Sequence, residues 1–117
     1  MLTYKDILND SDILQKYEQI EIETNYVIAH GIVHVKNVLA LCKNIAQAFN
    51  LSKNNARLLY IACALHDIGR FIDNKTHNLT SEKFAREYTA TYTNLFYNKK
   101  TPDWEFFCLF KSIVIFG

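Results

Sequence analysis

The sequence predicts an all-α protein, a bundle of five to six helices, for two reasons. Only three glycines and one proline interrupt the 117 residues, whereas an all-β domain needs a turn about every 8–12 residues. No stretch alternates apolar and polar residues as a half-buried strand does, while apolar residues recur at helical spacing along the chain. Half of the residues are apolar, so the chain can bury a core, and we expect one domain over residues 1–117.

The first two predicted helices begin after residues that commonly cap helix N-termini. A short helix is predicted after Thr3 and a second helix after Ser11, since both side chains carry a hydroxyl oxygen. On the second helix, Ile13, Tyr17 and Ile20 share one face. This spacing predicts that the three side chains pack into the core.

The third helix is predicted over residues 32–49, and Ser52 caps the fourth. On the third helix, the i, i+4, i+7, i+11 spacing predicts an inward stripe made of His34, Val38, Leu41 and Ile45. On the fourth helix, the aligned residues are Leu59, Ala62 and His66, with Cys63 beside them. Gly69 is predicted to end this helix in the left-handed conformation that glycine often adopts there.

A fifth helix is predicted after a polar loop over residues 73–79, with Thr80 or Ser81 as its first residue. Glu82 then lies in the first turn, where the helix dipole favours a negative charge. The predicted apolar stripe of this helix consists of Phe84, Tyr88, Tyr92 and Leu95.

The last segment, residues 104–116, is apolar on all sides of a helix. Its polar residues are Glu105, Lys111 and Ser112. Such a helix needs cover on every side, and the chain ends one residue later. We expect either that a partner chain packs there, as in a homo-oligomer through residues 104–116, or that the domain is truncated at its C-terminus, and we favour truncation.

Composition excludes several classes of function. The chain has 13 Lys and Arg against 12 Asp and Glu, a formal net charge of +1, so it has no field to capture nucleic acid or an anionic membrane. The polar N-terminus is not a signal peptide, and no apolar run approaches the roughly 20 residues of a membrane span. Three cysteines without CxxC spacing, which are Cys42, Cys63 and Cys108, indicate free thiols in a reducing cytosol. We expect a cytoplasmic protein.

His34 and His66 each lie within an otherwise apolar stripe, and Asp67 follows His66 directly. Polar groups of this kind are costly to bury unless they are satisfied, and one divalent cation shared by all three would satisfy them. Adjacent residues point about 100° apart on a helix, but the backbone is freer near a helix end. The short connection over residues 50–53 makes the third and fourth helices antiparallel neighbours, which brings His34 to the pair. Imidazole and carboxylate ligands suit Mn²⁺, Fe²⁺, Co²⁺, Ni²⁺ or Zn²⁺ better than Ca²⁺.

The segments HGIVHVKNV (residues 30–38) and ACALHDIGR (residues 62–70) resemble the HD-domain superfamily of metal-dependent phosphohydrolases, in its HDIG form. The similarity covers roughly residues 25–96. The resemblance implies an all-α fold and a divalent metal (Mn, Fe, Co, Ni, Zn or Mg) held by a His, a His-Asp pair and a later Asp. By this match His34 is the first ligand, and His66 and Asp67 are the pair. The resemblance also implies hydrolysis of phosphomonoesters, phosphodiesters or nucleotides by a metal-activated water.

Two positions depart from the family pattern. Asn37 stands where an Arg is frequent. The later Asp of the family usually lies in an Asp-Ala-Asp-like context fifty or more residues past the pair, whereas this chain has only Asp73 and Asp103 after Asp67, neither in such a context. The fourth ligand is therefore not evident, which agrees with the expected truncation.

The remaining candidates surround the predicted metal site. Asp67 would orient the attacking water or take its proton, and Arg70 would bind a substrate phosphate, since family members often carry Lys or Arg there. A solvated cation at the helix end is the alternative for Arg70. His30 and His77 are candidates for substrate binding, with a solvent-facing position for His30 and a plain loop position for His77 as the alternatives.

Three hypotheses for function follow. The first is an HD-type phosphohydrolase that acts on a small phosphorylated substrate. The second is a catalytically incomplete metal-binding or regulatory module that acts through protein association. The third is a purely structural helical bundle without a metal.

Overall fold

The computed structural model describes residues 2–23, 31–72 and 75–90. These ranges contain helices and no strand, so the all-α prediction is confirmed. The elements in chain order are α1 (Tyr4–Leu8), α2 (Ser11–Glu23), α3 (Ile32–Ala48), α4 (Lys53–Leu65), a 3₁₀ helix (Ile68–Phe71) and α5 (His77–Ala90). None of the described helices is both long and apolar enough to cross a bilayer.

The helix starts follow local side-chain chemistry. Asp6 accepts hydrogen bonds from the amide and the hydroxyl of Thr3 at 2.9 and 3.1 Å, which closes the first turn of α1. The Ser52 hydroxyl accepts from the amide of Asn55 at 3.1 Å, so the predicted cap of α4 is confirmed. The prediction for α2 was one residue late, because Ser11 is already helical and the Asp10 carboxylate accepts from the amide of Asp12.

The main core surrounds α4, which packs chiefly against α3 and α1. The three residues predicted to face inward from α2, which are Ile13, Tyr17 and Ile20, are all buried. The second half of α4 is almost wholly buried, and one apolar cluster joins it to α1, α2, α3 and α5. Helix α4 is therefore the central element, and its C-terminal end lies deep inside the protein.

The inward stripe predicted for α3 is wrong by one position. The buried residues are Val35, Leu39, Cys42 and Ala46. Leu41 is 61% exposed and Ile45 48% exposed. Helix α3 is apolar over two adjacent faces, so the spacing alone could not select between them. The face with Leu39, Cys42 and Ala46 is the one that packs on Leu59 and Cys63 of α4.

Helices α3 and α4 run antiparallel, as predicted. His34 contacts His66, and Cys42 contacts Cys63 through their thiols. Residue numbers therefore rise along one helix as they fall along the other. The connection between the helices turns at Asn50, whose φ of 52° is in the left-handed region that asparagine tolerates.

Gly69 does not end α4 in the left-handed conformation, so that prediction was wrong. Helix α4 ends at Leu65, and Gly69 lies inside the following 3₁₀ helix; neither described glycine has a positive φ. The reason for glycine here is a close approach of α5. The Gly69 amide donates to the Ser81 hydroxyl at 2.7 Å, and the Thr80 hydroxyl donates to the Gly69 carbonyl at 3.1 Å. A Cβ at this position would meet backbone atoms of α5.

Helix α5 begins at His77, three residues before the earlier of the two predicted starts. The residues that it buries fully are Ser81, Ala85 and Thr89. Phe84 and Tyr88, predicted as the inward stripe, are half-buried and stack on each other with ring centroids 5.9 Å apart. Tyr92, Leu95 and the apolar segment over residues 104–116 lie outside the described residues.

We predict that Gly69→Ala lowers the free energy of unfolding by about 3 kcal/mol, because backbone atoms of α5 have to move to admit the methyl group. Urea-induced unfolding measures the loss. Gly31→Ala is the matched control. Its Cβ meets the side chain of Glu21, whose Oε1 accepts a hydrogen bond from the amide of Ile32 at 2.9 Å. The side chain can rotate away with the loss of that bond, so the cost is expected to be about 1 kcal/mol. Equal costs for the two variants would contradict the close approach at Gly69.

Candidate metal centre

The His66 ring is completely buried at the end of α4. Its Nδ1 lies 2.7 Å from the carbonyl oxygen of Cys63. A carbonyl only accepts, so Nδ1 carries a proton and the neutral ring has its lone pair on Nε2. Burial lowers the pKa of His66 below its ordinary value, which favours the neutral form. A neutral imidazole held through its other nitrogen is the usual state of a metal-ligating histidine.

His34 reaches the same point from α3. Its Nε2 lies 3.3 Å from the Nε2 of His66, and the two rings meet edge to face. Two imidazole nitrogens bound at about 2.0–2.1 Å to one tetrahedral ion stand about 3.3 Å apart. The separation in this structure is therefore that of two ligands of a single small cation.

The two carboxylate oxygens of Asp67 face different neighbours. Oδ1 accepts from Nε of Arg70 at 2.9 Å. Oδ2 lies 4.0 Å from Nε2 of His34. His34, His66 and Asp67 each offer one donor atom, and these three atoms lie within 4.8 Å of one another. The structure thus brings together the three residues that the sequence proposed as metal ligands.

The local backbone explains how adjacent residues converge. Helix α4 ends at Leu65, and the backbone leaves α-helical geometry at Asp67, with φ −114° and ψ 4°. Freedom of this kind near the helix end was predicted from the sequence. The role of Tyr17 was not predicted: its hydroxyl donates to the carbonyl of Ala64 at 2.6 Å in the last turn of α4. Its spacing on α2 marks Tyr17 as a core residue, and nothing in the pattern shows where its hydroxyl points.

Arg70 and His77 lie on the opposite side of Asp67 from His34. Nη2 of Arg70 is 3.3 Å from Nε2 of His77, which is itself 3.9 Å from Oδ1 of Asp67. A guanidinium only donates, so Nε2 of His77 is the acceptor. The Arg70 side chain is 17% exposed, which excludes a fully solvated cation at a helix end. His77 is the first residue of α5 and not a plain loop residue.

Three residues considered in the sequence lie outside the part of the chain that the structure describes. They are His30, proposed for substrate binding, and the two later aspartates, Asp73 and Asp103. Asn37, at the position where the family often has Arg, lies on an exposed part of α3. Within the described ranges, the ligand group consists of two imidazoles and one carboxylate.

This donor set fits a divalent transition metal. Imidazole nitrogen suits Zn²⁺, Fe²⁺, Co²⁺ and Ni²⁺, and a carboxylate oxygen extends the range to Mn²⁺. Three protein ligands also leave coordination positions for water or substrate, as catalytic metal sites do. The hydrogen bond of His66 to Cys63 and that of Asp67 to Arg70 hold two of the ligands in place.

Comparison with known proteins agrees with this reading of the site. Residues 31–97 match the family model of the HD domain. The match covers more than half of the chain and includes all three residues of the ligand group. No curated protein and no solved structure matches the chain.

We predict that Mn²⁺, Co²⁺, Ni²⁺ or Zn²⁺ raises the thermal unfolding temperature, because an ion that binds only the folded state stabilises it. The stabilisation is about 2.7 kcal/mol at a free concentration of 100 times Kd. For a domain of this size it corresponds to a rise of roughly 10 °C in the unfolding temperature. His34→Ala removes a half-buried ligand and should abolish the shift. Asn37→Ala, an exposed change on the same helix, should keep it. A wild-type unfolding temperature that no divalent ion raises would contradict the metal centre.

Proposed function

The chain belongs to the HD domain family, and from this premise we propose that it is a metal-dependent phosphohydrolase with His34, His66 and Asp67 as its metal ligands. The observation that supports the proposal is the convergence of three donor atoms within 4.8 Å of one another. Two of these residues, His66 and Asp67, are buried, so an ion would be held at the inner end of the site.

The metal would supply two kinds of chemistry when bound. It would act as a Lewis acid for a phosphoryl oxygen and would lower the pKa of a coordinated water to about 7. No serine or cysteine nucleophile is needed for this reaction. The protein's own part is to hold the ion, to orient the reacting groups and to balance charge.

Asp67 has a divided role in this proposal. Oδ2 faces the His34 imidazole and would bind the ion, while Oδ1 is held by Arg70. This hydrogen bond fixes the plane of the carboxylate, so Asp67 would present the same oxygen to the ion throughout the reaction. Asp67 would also orient a water molecule beside the ion.

Arg70 would act on both the ligand group and the substrate. Its guanidinium fixes Asp67 through Nε and contacts His77 through Nη2. Its positive charge lies beside the ligand group, where negative charge on the phosphoryl oxygens of a substrate would be stabilised. We propose His77, and His30 outside the described residues, as further contacts to the substrate.

The substrate class is a small phosphorylated compound, namely a phosphomonoester, a phosphodiester or a nucleotide. A net charge of +1 gives the chain no strong field for nucleic acid, which argues against a polynucleotide substrate. The second candidate is a metal-binding module without turnover. The observation that favours it is a ligand group of three among the described residues, where the family pattern has four.

Elemental analysis of the purified protein, combined with a screen of phosphomonoesters, phosphodiesters and nucleotides, tests the proposal. We expect about one divalent ion per chain and hydrolysis of at least one substrate class. Asp67→Asn should lower the rate at least about 100-fold, because a metal ligand contributes several kcal/mol of charge stabilisation. Lys36→Ala, an exposed change on α3, is the control and should keep the full rate.

Two results would count against the enzyme. Hydrolysis that survives Asp67→Asn would show that the activity does not depend on this site. A bound ion with no turnover of any of the three substrate classes would favour the metal-binding module.

A further inference from the structure

Tyr17 connects α2 to the end of α4 at the ligand group. It is completely buried, and its hydroxyl donates to the carbonyl oxygen of Ala64 at 2.6 Å, across 47 residues of sequence. This hydrogen bond joins two helices of the core and lies two residues before His66.

The position of this hydrogen bond follows from the way α4 ends. The last carbonyls of an α-helix lack the amide partners that a further turn would supply. Helix α4 ends at Leu65, so the carbonyl of Ala64 is one of these groups, and it lies in the buried part of the protein. A buried carbonyl needs a hydrogen bond, and the Tyr17 hydroxyl provides one from another helix.

The end of the α-helix also determines where the ligands point. In a continuous helix His66 and Asp67 would point about 100° apart. In the structure the backbone changes conformation at Asp67, and both side chains come within reach of His34. The end of α4 is thus also the point at which the two ligand side chains converge. The hydrogen bond from Tyr17 stabilises this helix end.

The Tyr17 hydroxyl remains a donor under ordinary conditions. Burial is the main reason why the pKa of Tyr17 is raised well above its usual value, and the nearby carboxylate of Asp67 raises it further. The hydroxyl therefore keeps its proton, which the carbonyl of Ala64 requires.

We propose that Tyr17 is a positioning residue of the metal centre, whose hydrogen bond to Ala64 holds the helix end that directs His66 and Asp67 toward His34. The inference rests on the proposed function, since it assumes that these three residues bind the metal. It assigns no contact between Tyr17 and the metal or the substrate.

The test is a titration of Tyr17→Phe with Co²⁺, whose visible absorption spectrum reports the geometry of its ligands. The variant keeps the ring and loses only the hydroxyl. We expect the affinity for Co²⁺ to fall about 10- to 100-fold, the effect typical of residues that support metal ligands. We also expect the absorption bands at saturation to differ from those of the wild type.

Tyr88→Phe is the matched control, because it removes a tyrosine hydroxyl that donates to Asp10 at 2.8 Å between α5 and the start of α2. Its Co²⁺ affinity and spectrum should equal those of the wild type. Both variants are titrated in sucrose, which favours the folded state, and circular dichroism confirms that they are folded.

Two results would overturn the inference, and they are distinguishable. If wild-type protein binds Co²⁺ and Tyr17→Phe matches it in affinity and spectrum, Tyr17 is a core residue only, and the proposed function stands. If wild-type protein binds no Co²⁺, and Zn²⁺ or Mn²⁺ does not raise its unfolding temperature, the proposed function fails and the inference fails with it.

Discussion

Adjacent side chains on an α-helix point about 100° apart, so His66 and Asp67 can face a common point only because the α-helical winding stops at Leu65. The stop also changes what the carbonyl of Cys63 does. In a continuing helix it would accept from the amide four residues later, at position 67. Here it accepts from Nδ1 of His66 at 2.7 Å. The end of α4 therefore brings the ligands together and supplies the group that orients the buried imidazole.

The other side of the site depends on the close packing of α5 against the 3₁₀ helix. Gly69 lets the two backbones meet, and hydrogen bonds to Ser81 and Thr80 fix their separation. This contact places His77 beside Arg70, which in turn holds Asp67. The glycine of the HDIG segment thus acts through packing, and this packing is connected to Asp67 of the ligand group through two polar side chains, those of His77 and Arg70.

The sequence was most informative where one physical requirement dominated. The buried face of α2 was predicted correctly because Ile13, Tyr17 and Ile20 form a single apolar stripe on this helix. The ligand group was predicted because His34, His66 and Asp67 are polar residues within apolar stretches of sequence. The inward face of α3 was predicted incorrectly, because two adjacent faces of this helix are apolar. Which of the two is buried depends on how α4 packs against it. The reason for glycine at position 69 was also missed, because a close approach between distant segments leaves no local pattern.

Charge balance connects this site to the proposed class of substrate. Burial lowers the pKa of His66, so the site does not gain a positive charge from that ring. The negative charge of Asp67 is balanced by Arg70 at 2.9 Å. With neutral imidazoles as ligands, a divalent ion would then leave an excess of about two positive charges in a partly buried site, where charges interact more strongly than in water. The negative charge of a phosphoryl group would offset this excess positive charge. The hydrogen bonds that orient the ligands would therefore also favour the binding of a phosphorylated compound over a neutral one.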